Sequence, residues 1–240
     1  MFPELERCLK KGSEEIGVIV ADKSINLFMQ YYGLLTEENK KYNLTSIMDE
    51  RDAAIKHFRD SLTCLLIYDF KNKYIADIGS GAGFPGIPLK IMCSDIDIVL
   101  TDAVQKKVGF MKKAVNDLKL KKIDVLHCRV EDMGADGRYR GKFDNVISRA
   151  VAPLNVLLEY CIPLLKVGGI FLAMKGPAAD EEIEKATAAF NEMGAVVKDK
   201  KTVKLPLLGD ERNIIVVKKI ISTADKYPRK AGIPSKNPLK

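Results

Sequence analysis

The chain has 240 residues, of which 47% are hydrophobic and 30% are charged, which indicates a globular protein with one large domain or one domain and an extension. No run of about 18 apolar residues occurs and the charged N-terminus lacks an apolar signal core, so we expect a cytoplasmic protein without a membrane span. Five scattered cysteines without a C-x-x-C pair and only two histidines predict neither a disulfide framework nor a metal site. The net charge of +7 favours an anionic partner.

Residues 1 to about 70 are expected to be helical. An apolar stripe at helical spacing indicates a helix that packs on the core rather than a binding surface, and consists of Ile25, Phe28, Met29 and Tyr32. A second helical stretch is predicted from Glu50 to about Ile67, with a break in its middle.

After Lys73 the pattern changes to short β-like runs that alternate with amphipathic segments. Strands are predicted at residues 74–78, 96–102, 123–128, 143–150 and 168–176, each followed by a helical segment or turn. Two further strand patterns, 194–207 and 213–220, have no helix between them and therefore predict an antiparallel hairpin.

Strand–helix alternation predicts a parallel, doubly wound α/β sheet. A mostly parallel, seven-stranded Rossmann-like sheet that ends in one antiparallel strand is typical of class I S-adenosylmethionine-dependent methyltransferases. We therefore predict a helical extension at residues 1–70, a methyltransferase domain at 71–221 and a basic C-terminal tail at 222–240.

The sequence "DIGSGAGFPGIPLKI" places four glycines directly after the first predicted strand. Two ligand patterns fit it. Gly81-x-Gly83-x-x-Gly86 matches the dinucleotide fingerprint, whereas Asp77-x-Gly79-x-Gly81-x-Gly83 is the pattern that holds S-adenosylmethionine. A Walker loop is excluded because no Lys-Ser or Lys-Thr follows.

The second predicted strand ends at Asp102, where a carboxylate can accept hydrogen bonds from both ribose hydroxyls of either ligand. Asp102 could instead only cap the next helix. After the third strand, Glu131 can meet an adenine amino group beside the backbone of Val130, or can belong to a solvated turn. One nucleotide-binding half plus a hairpin leaves no separate substrate domain, which favours the methyl donor over NAD.

With these residues the chain resembles the bacterial 16S rRNA (guanine-N7) methyltransferases, also called glucose-inhibited division protein B. The matching segments cover nearly the whole chain and are "KYNLTS", "HFRDSL", "DIGSGAGFPGIPLKI", "ISRAVAPL", "MKG" and "YPRKAGIPSKNPL". The chain departs from the family pattern at two places. The histidine of "HFRDSL" is usually followed by two aliphatic residues in this family, and histidine is common at the position of Asn213. The resemblance implies S-adenosyl-L-methionine as methyl donor, and 16S rRNA or the small ribosomal subunit as partner.

The resemblance also implies residue roles. Gly79 and Phe84 are expected to line the donor pocket, with Arg149 at its catalytic face. Arg149 ends the fourth predicted strand, and such strand ends face the ligand crevice in open α/β sheets, although an arginine there could simply solvate the strand end. Asp102 is expected at the ribose, with Val130 and Glu131 at the adenine.

Basic residues cluster in three places, which are seven lysines between 106 and 122, "RYRGK" at 138–142, and the tail. Solvated helix faces also carry lysines, so basicity alone does not establish RNA binding. The candidate phosphate contacts are Arg138, Arg140, Arg229 and Lys230. Deletion from Tyr227 onward is expected to weaken RNA binding and to spare donor binding, and we expect a monomer.

Motifs that the sequence lacks exclude some classes of methyl-transfer reaction. It has no Asn/Asp-Pro-Pro-aromatic loop for amine methylation, and Cys161 shares a predicted helix face with leucines, which indicates a core residue. His57 and Asp60 are interpreted as a local helix pair. Guanine N7 carries no proton, so no general base is expected. The alternatives are an NAD-dependent oxidoreductase and a non-catalytic RNA-binding protein.

Overall fold

The computed structural model describes residues 2–204 and 211–239. Within them lies one seven-stranded sheet of order β3-β2-β1-β4-β5-β7-β6. Its strands are β1 (Tyr74–Ile78), β2 (Asp97–Asp102), β3 (Ile123–His127), β4 (Phe143–Arg149), β5 (Leu165–Lys175), β6 (Ala195–Lys204) and β7 (Glu211–Lys219). The five strands β1–β5 are parallel, and β7 pairs antiparallel with both β5 and β6.

This topology confirms the predicted α/β class I methyltransferase fold. The end of the strand predicted at 194–207 lies outside the described residues. The central strands read as continuous apolar runs because helices cover both faces of the sheet. For example, Ile75 faces one hydrophobic cluster while its neighbour Ala76 faces the other.

The helical segments follow in chain order: α1 (Pro3–Glu15), α2 (Asp22–Tyr42), α3 (Glu50–Ala53), a π-helical segment (Ala54–Arg59), α4 (Asp60–Leu62), a 3-10 segment (Thr63–Leu66), α5 (Gly86–Met92), α6 (Gln105–Asp117), α7 (Val130–Ala135), α8 (Leu154–Cys161), a second 3-10 segment (Ile162–Leu164), α9 (Ala179–Lys185), α10 (Thr187–Met193) and α11 (Ile233–Lys236). Among the described helices, none is long and apolar enough to cross a bilayer.

The N-terminal helices join the same hydrophobic cluster as one face of the sheet. Ile25, Phe28 and Tyr32 of α2 are buried in it together with Ile75 of β1. The break predicted within residues 50–67 is instead the π-helical segment, which keeps the helical run continuous from Glu50 to Leu66. Such a segment often marks a functional site.

The tail returns across the molecule after β7 and is held by two arginines. Arg140 donates hydrogen bonds to four carbonyl oxygens, of which that of Tyr227 lies 2.6 Å from Nη1. Arg229 forms a two-point ion pair with the buried carboxylate of Glu159, with Nη2 2.7 Å from Oε2. These contacts bring the end of the tail to the carboxyl edge of the sheet.

Candidate functional site

Two cavities adjoin at the carboxyl ends of the parallel strands, where ligands bind in open α/β sheets. The first cavity has a volume of about 380 Å³ and the second about 930 Å³. Both are lined by Ala150, Val151 and Ala152, which follow β4. This segment, called the shared loop below, is therefore the wall between them.

The glycine stretch begins at the floor of the first cavity, which Ile78 and Gly79 line directly after β1. Gly79 has a φ of +69°, and a Cβ added there would lie only 2.5 Å from Cγ2 of Val151. A side chain at this position would therefore collide with the shared loop, and the backbone conformation itself favours glycine. Gly81, with a φ of +63°, faces open space instead.

Asp77 and Gly83 lie beneath this floor. The carboxylate of Asp77 is fully buried, and its Oδ2 accepts a hydrogen bond from the Gly86 N–H at 2.9 Å. Burial raises the pKa of Asp77 to about 7, with the hydrogen bond from Gly86 acting in the opposite direction. A Cβ on Gly83 would meet Ile87 and Tyr31, so this glycine faces the core. Both residues shape the loop from below rather than line the cavity.

Asp102 connects the floor with the end of β2. Its Oδ2 accepts a hydrogen bond from the Gly81 N–H at 3.0 Å, and its Oδ1 accepts one from the Val104 N–H at 2.8 Å. Val104 is the N-cap residue of α6, which has no side-chain cap hydrogen bond, so Asp102 holds the residue before the helix rather than capping its first turn, and it also lines the first cavity. Each carboxylate oxygen has further lone pairs, and both can therefore accept another hydrogen bond.

Val130 and Glu131 line the opposite wall, together with part of the tail. Oε1 of Glu131 accepts a hydrogen bond from the Gly232 N–H at 2.8 Å. Gly232 and Ser235 also line the first cavity. The tail is therefore part of the cavity wall, which the expectation that its deletion spares donor binding did not include.

Arg149 lies at the second cavity and is paired with the N-terminal helices. Its Nη1 donates to the carbonyl of Lys56 at 3.0 Å and to Oδ2 of Asp60 at 2.9 Å. Its guanidinium carbon lies 5.2 Å from the ring centroid of Phe84. Phe84 is buried and stacks on His57 with centroids 4.4 Å apart, so it supports this cluster and is not among the residues that line the first cavity.

His57 and Asp60 were interpreted from sequence as a local pair, but the structure places both against Arg149. Nδ1 of His57 lies 3.4 Å from Nη2 of Arg149, and Nε2 lies 2.9 Å from Oγ1 of Thr45. Burial and the charge of Arg149 lower the pKa of His57 to about 3. The imidazole is therefore neutral, with Nδ1 as acceptor and Nε2–H as donor. The segment "HFRDSL" was the signal that could have identified them.

Three more residues line the second cavity and were not predicted from the sequence, namely Lys175, Glu182 and Arg212. Lys175 ends β5, and its Nζ donates to the carbonyl of Ala152 at 2.6 Å and to Glu182 at 2.7 Å. Nε of Arg212 lies 3.2 Å from Oδ1 of Asp60. The short match "MKG" was the available signal for Lys175.

The four candidate phosphate contacts fall into two groups. The guanidinium groups of Arg140 and Arg229 are engaged inside the protein, and a phosphate would have to compete with those bonds. The side chain of Arg138 is 79% exposed and pairs with the nearby Asp136, while Lys230 is exposed at the start of the last tail segment. Among the described residues, no cluster of histidine, cysteine and carboxylate side chains could hold a metal ion.

The donor set of the first cavity fits an adenosine. Carboxylates at Asp102 and Glu131 are acceptors for ribose hydroxyls and an adenine amino group, and Ile78 and Val130 supply apolar surface between them. The volume lies within the usual range of small-molecule sites.

The family model described as rRNA small subunit methyltransferase G matches residues 24–215. The ribosomal RNA small subunit methyltransferase G of Pelotomaculum thermopropionicum is 44% identical over 98% of this chain and 99% of its own length. The protein of the same name from Lactobacillus johnsonii is 45% identical and covers both chains completely.

Solved structures agree in fold. A SAM-dependent methyltransferase from Aquifex aeolicus superposes with a TM-score of 0.51 at 19% identity and covers 70% of this chain and 93% of its own. The matches favour neither an NAD-dependent oxidoreductase nor a non-catalytic RNA-binding protein. The glycine floor, the paired Arg149 and the near-complete match to named relatives lead to one conclusion, that the chain belongs to the rRNA small subunit methyltransferase G family.

Proposed function

We propose that this chain transfers the methyl group of S-adenosyl-L-methionine to N7 of a guanine in 16S rRNA, as a cytoplasmic monomer. The single observation that carries the proposal is the pair of adjoining cavities, one with carboxylates suited to an adenosine and one lined by Arg149 and other cations. The shared loop between them is the place where donor and acceptor would meet.

Different residues of the first cavity bind different parts of the donor. We propose that Asp102 holds the ribose, that Val130 and Glu131 hold the adenine, and that Gly79 and Gly81 lie under the methionyl part. Asp77 acts through the loop that it holds at Gly86. When bound, S-adenosylmethionine supplies a methyl group on a sulfonium, which the lone pair of N7 attacks without release of a proton.

Arg149 then orients the acceptor base. Its charge is offset only in part by Asp60, because Arg212 shares the same carboxylate. The neutral His57 and the ring of Phe84 fix the guanidinium from its other sides. Alignment of the nucleophile and exclusion of water are the sources of rate in such a site.

The test is methyl transfer to small-subunit RNA, followed by identification of the modified nucleoside by mass spectrometry. We expect 7-methylguanosine from RNA that contains guanosine and no product from the same RNA with 7-deazaguanosine at the target. Methyl incorporation into the 7-deaza RNA would overturn the N7 assignment. Calorimetry with S-adenosylmethionine and NAD, and light scattering for the monomer, check the donor and the oligomeric state.

A further inference from the structure

Two carboxylates line the second cavity, and they differ in what they can still bind. The side chain of Asp60 is only 5% exposed, and both of its oxygens face arginines. The side chain of Glu182 is 26% exposed. Glu182 is therefore the carboxylate that a molecule in this cavity can reach.

The carboxylate of Glu182 is fixed relative to the shared loop. Its Oε2 accepts hydrogen bonds from the Leu154 N–H at 2.7 Å and from Nζ of Lys175 at 2.7 Å. Lys175 is buried and also donates to the carbonyl of Ala152, so loop, lysine and carboxylate form one unit. Within the described part of the chain, Oε1 has no hydrogen bond, which leaves it available as an acceptor.

A carboxylate in the second cavity can accept hydrogen bonds from the Watson–Crick edge of a guanine. Guanine carries the N1–H and 2-amino donors side by side on its Watson–Crick edge, and unstacked RNA bases are read on that edge. Adenine presents an acceptor at N1 and would face the carboxylate with a repulsive lone pair. N7 lies on the other side of the guanine ring system and stays free for the methyl group.

We propose that Glu182 is a specificity-determining residue, which selects guanine by accepting hydrogen bonds from its N1–H and 2-amino groups. Lys175 is the positioning residue that holds the carboxylate against the shared loop. This inference rests on the proposed transfer to guanine N7.

The test compares two RNAs that differ only at the mapped target, which is guanosine in one and inosine in the other. Inosine keeps N7 and N1–H but lacks the 2-amino group. For the unaltered enzyme we expect kcat/KM in single-turnover assays to be roughly 5–150-fold lower on inosine, the range of one good hydrogen-bonded base contact. For Glu182→Gln we expect a slower reaction on guanosine. The ratio of kcat/KM on guanosine to kcat/KM on inosine should fall to about one to three.

Two further variants separate recognition from folding. Glu184→Gln, on an exposed residue of the same helix α9, should retain the ratio of the unaltered enzyme. Glu182→Asp keeps a carboxylate and should recover part of the ratio. S-adenosylmethionine affinity should change by less than about twofold in all three variants, because Glu182 does not line the first cavity.

The outcomes distinguish the two proposals. If the unaltered enzyme forms no 7-methylguanosine, the proposed function fails. If it forms 7-methylguanosine but treats guanosine and inosine alike, or if Glu182→Gln keeps the full ratio, the role of Glu182 is overturned while the proposed function stands.

Discussion

Arg149 and Asp60 are 89 positions apart in the chain, yet Nη1 of the arginine donates a hydrogen bond to Oδ2 of the aspartate at 2.9 Å. The pair joins the end of β4 to the start of α4, directly after the π-helical segment. Because the other oxygen of Asp60 lies 3.2 Å from Nε of Arg212, the same carboxylate also holds the start of β7. One buried residue thus sets the positions of two arginines at the second cavity.

The first prediction concerns this carboxylate. Asp60→Ala should lower the free energy of unfolding by about 3 kcal/mol, because it leaves a largely buried guanidinium without its counter-ion. Methyl transfer should fall further than donor affinity, since Arg149 would lose its position. Urea unfolding and single-turnover assays measure the two effects. The matched control is Asp52→Ala, which breaks the partly exposed pair with Lys56 and should cost less than about 1 kcal/mol. Equal losses in the two variants would contradict the role of Asp60.

The second prediction concerns pH. The pKa of His57 is lowered to about 3 by burial and by Arg149, so the imidazole stays neutral throughout the assay range. With saturating donor, the single-turnover rate should be flat between about pH 6 and 9. His57→Gln should cost less than Arg149→Lys in the chemical step. An inflection near pH 6.5 that disappears in His57→Gln would show that the histidine is a general base.

The third prediction concerns Asp77 and stability. Its pKa is raised from an ordinary 3.8 to about 7 by burial. The folded state therefore holds the proton more tightly than the unfolded chain, and this stabilisation is lost as the pH rises from about 4 through 7. Asp77→Asn does not titrate, so its stability relative to the unaltered protein should rise by on the order of 2–4 kcal/mol between pH 4 and 8. Thermal unfolding across this range measures it, and a constant difference would contradict the raised pKa.

The alternation of strands and helices predicted the sheet well, because apolar runs and glycine turns are local signals. β1 to β5 and the terminal hairpin lie close to where the sequence placed them. The π-helical segment Ala54–Arg59 was missed, since tertiary packing around Phe58 and Arg149 decides it rather than any local pattern.

The site was predicted only where it follows a strand directly. Asp102 ends β2 and Val130 begins the helix after β3, so topology alone brings them to the first cavity. Glu182 and Asp60 reach the second cavity from helices distant in sequence, and no spacing rule predicts that meeting. The tail was read as a basic extension because its charge is visible in the sequence, whereas its hydrogen bond to Glu131 is not.

The fourth prediction concerns the donor ribose. Asp102→Ala should weaken S-adenosylmethionine binding by about 1.5–3 kcal/mol through loss of a charged acceptor. Part of that loss comes from the glycine loop, because Asp102 also holds the Gly81 N–H. Asp102→Asn keeps one acceptor oxygen. Its S-adenosylmethionine affinity in calorimetry should lie between those of the unaltered protein and Asp102→Ala. Undiminished affinity in Asp102→Ala would remove this residue from the donor site.

The fifth prediction concerns the tail as a wall of the first cavity. Because Glu131 accepts a hydrogen bond from the Gly232 N–H, a chain that ends at Ala231 should lose this contact together with Ser235. The Arg229–Glu159 pair is retained, so the rest of the tail stays anchored. We expect S-adenosylmethionine affinity to fall by about 10-fold or more, which corresponds to one or two lost hydrogen bonds and exposure of the cavity to water.

The control for the tail is Lys236→Ala, which removes an exposed charge from α11 but does not alter the cavity lining. This variant should bind the donor normally and should weaken RNA binding with a shallower dependence on salt, if the tail contacts phosphates. Calorimetry with the donor and filter binding with RNA at several salt concentrations separate the two roles. Normal donor affinity in the shortened chain would show that the tail lines the cavity without contributing a binding contact. The remaining walls at Asp102 and Val130 would then suffice to bind the donor.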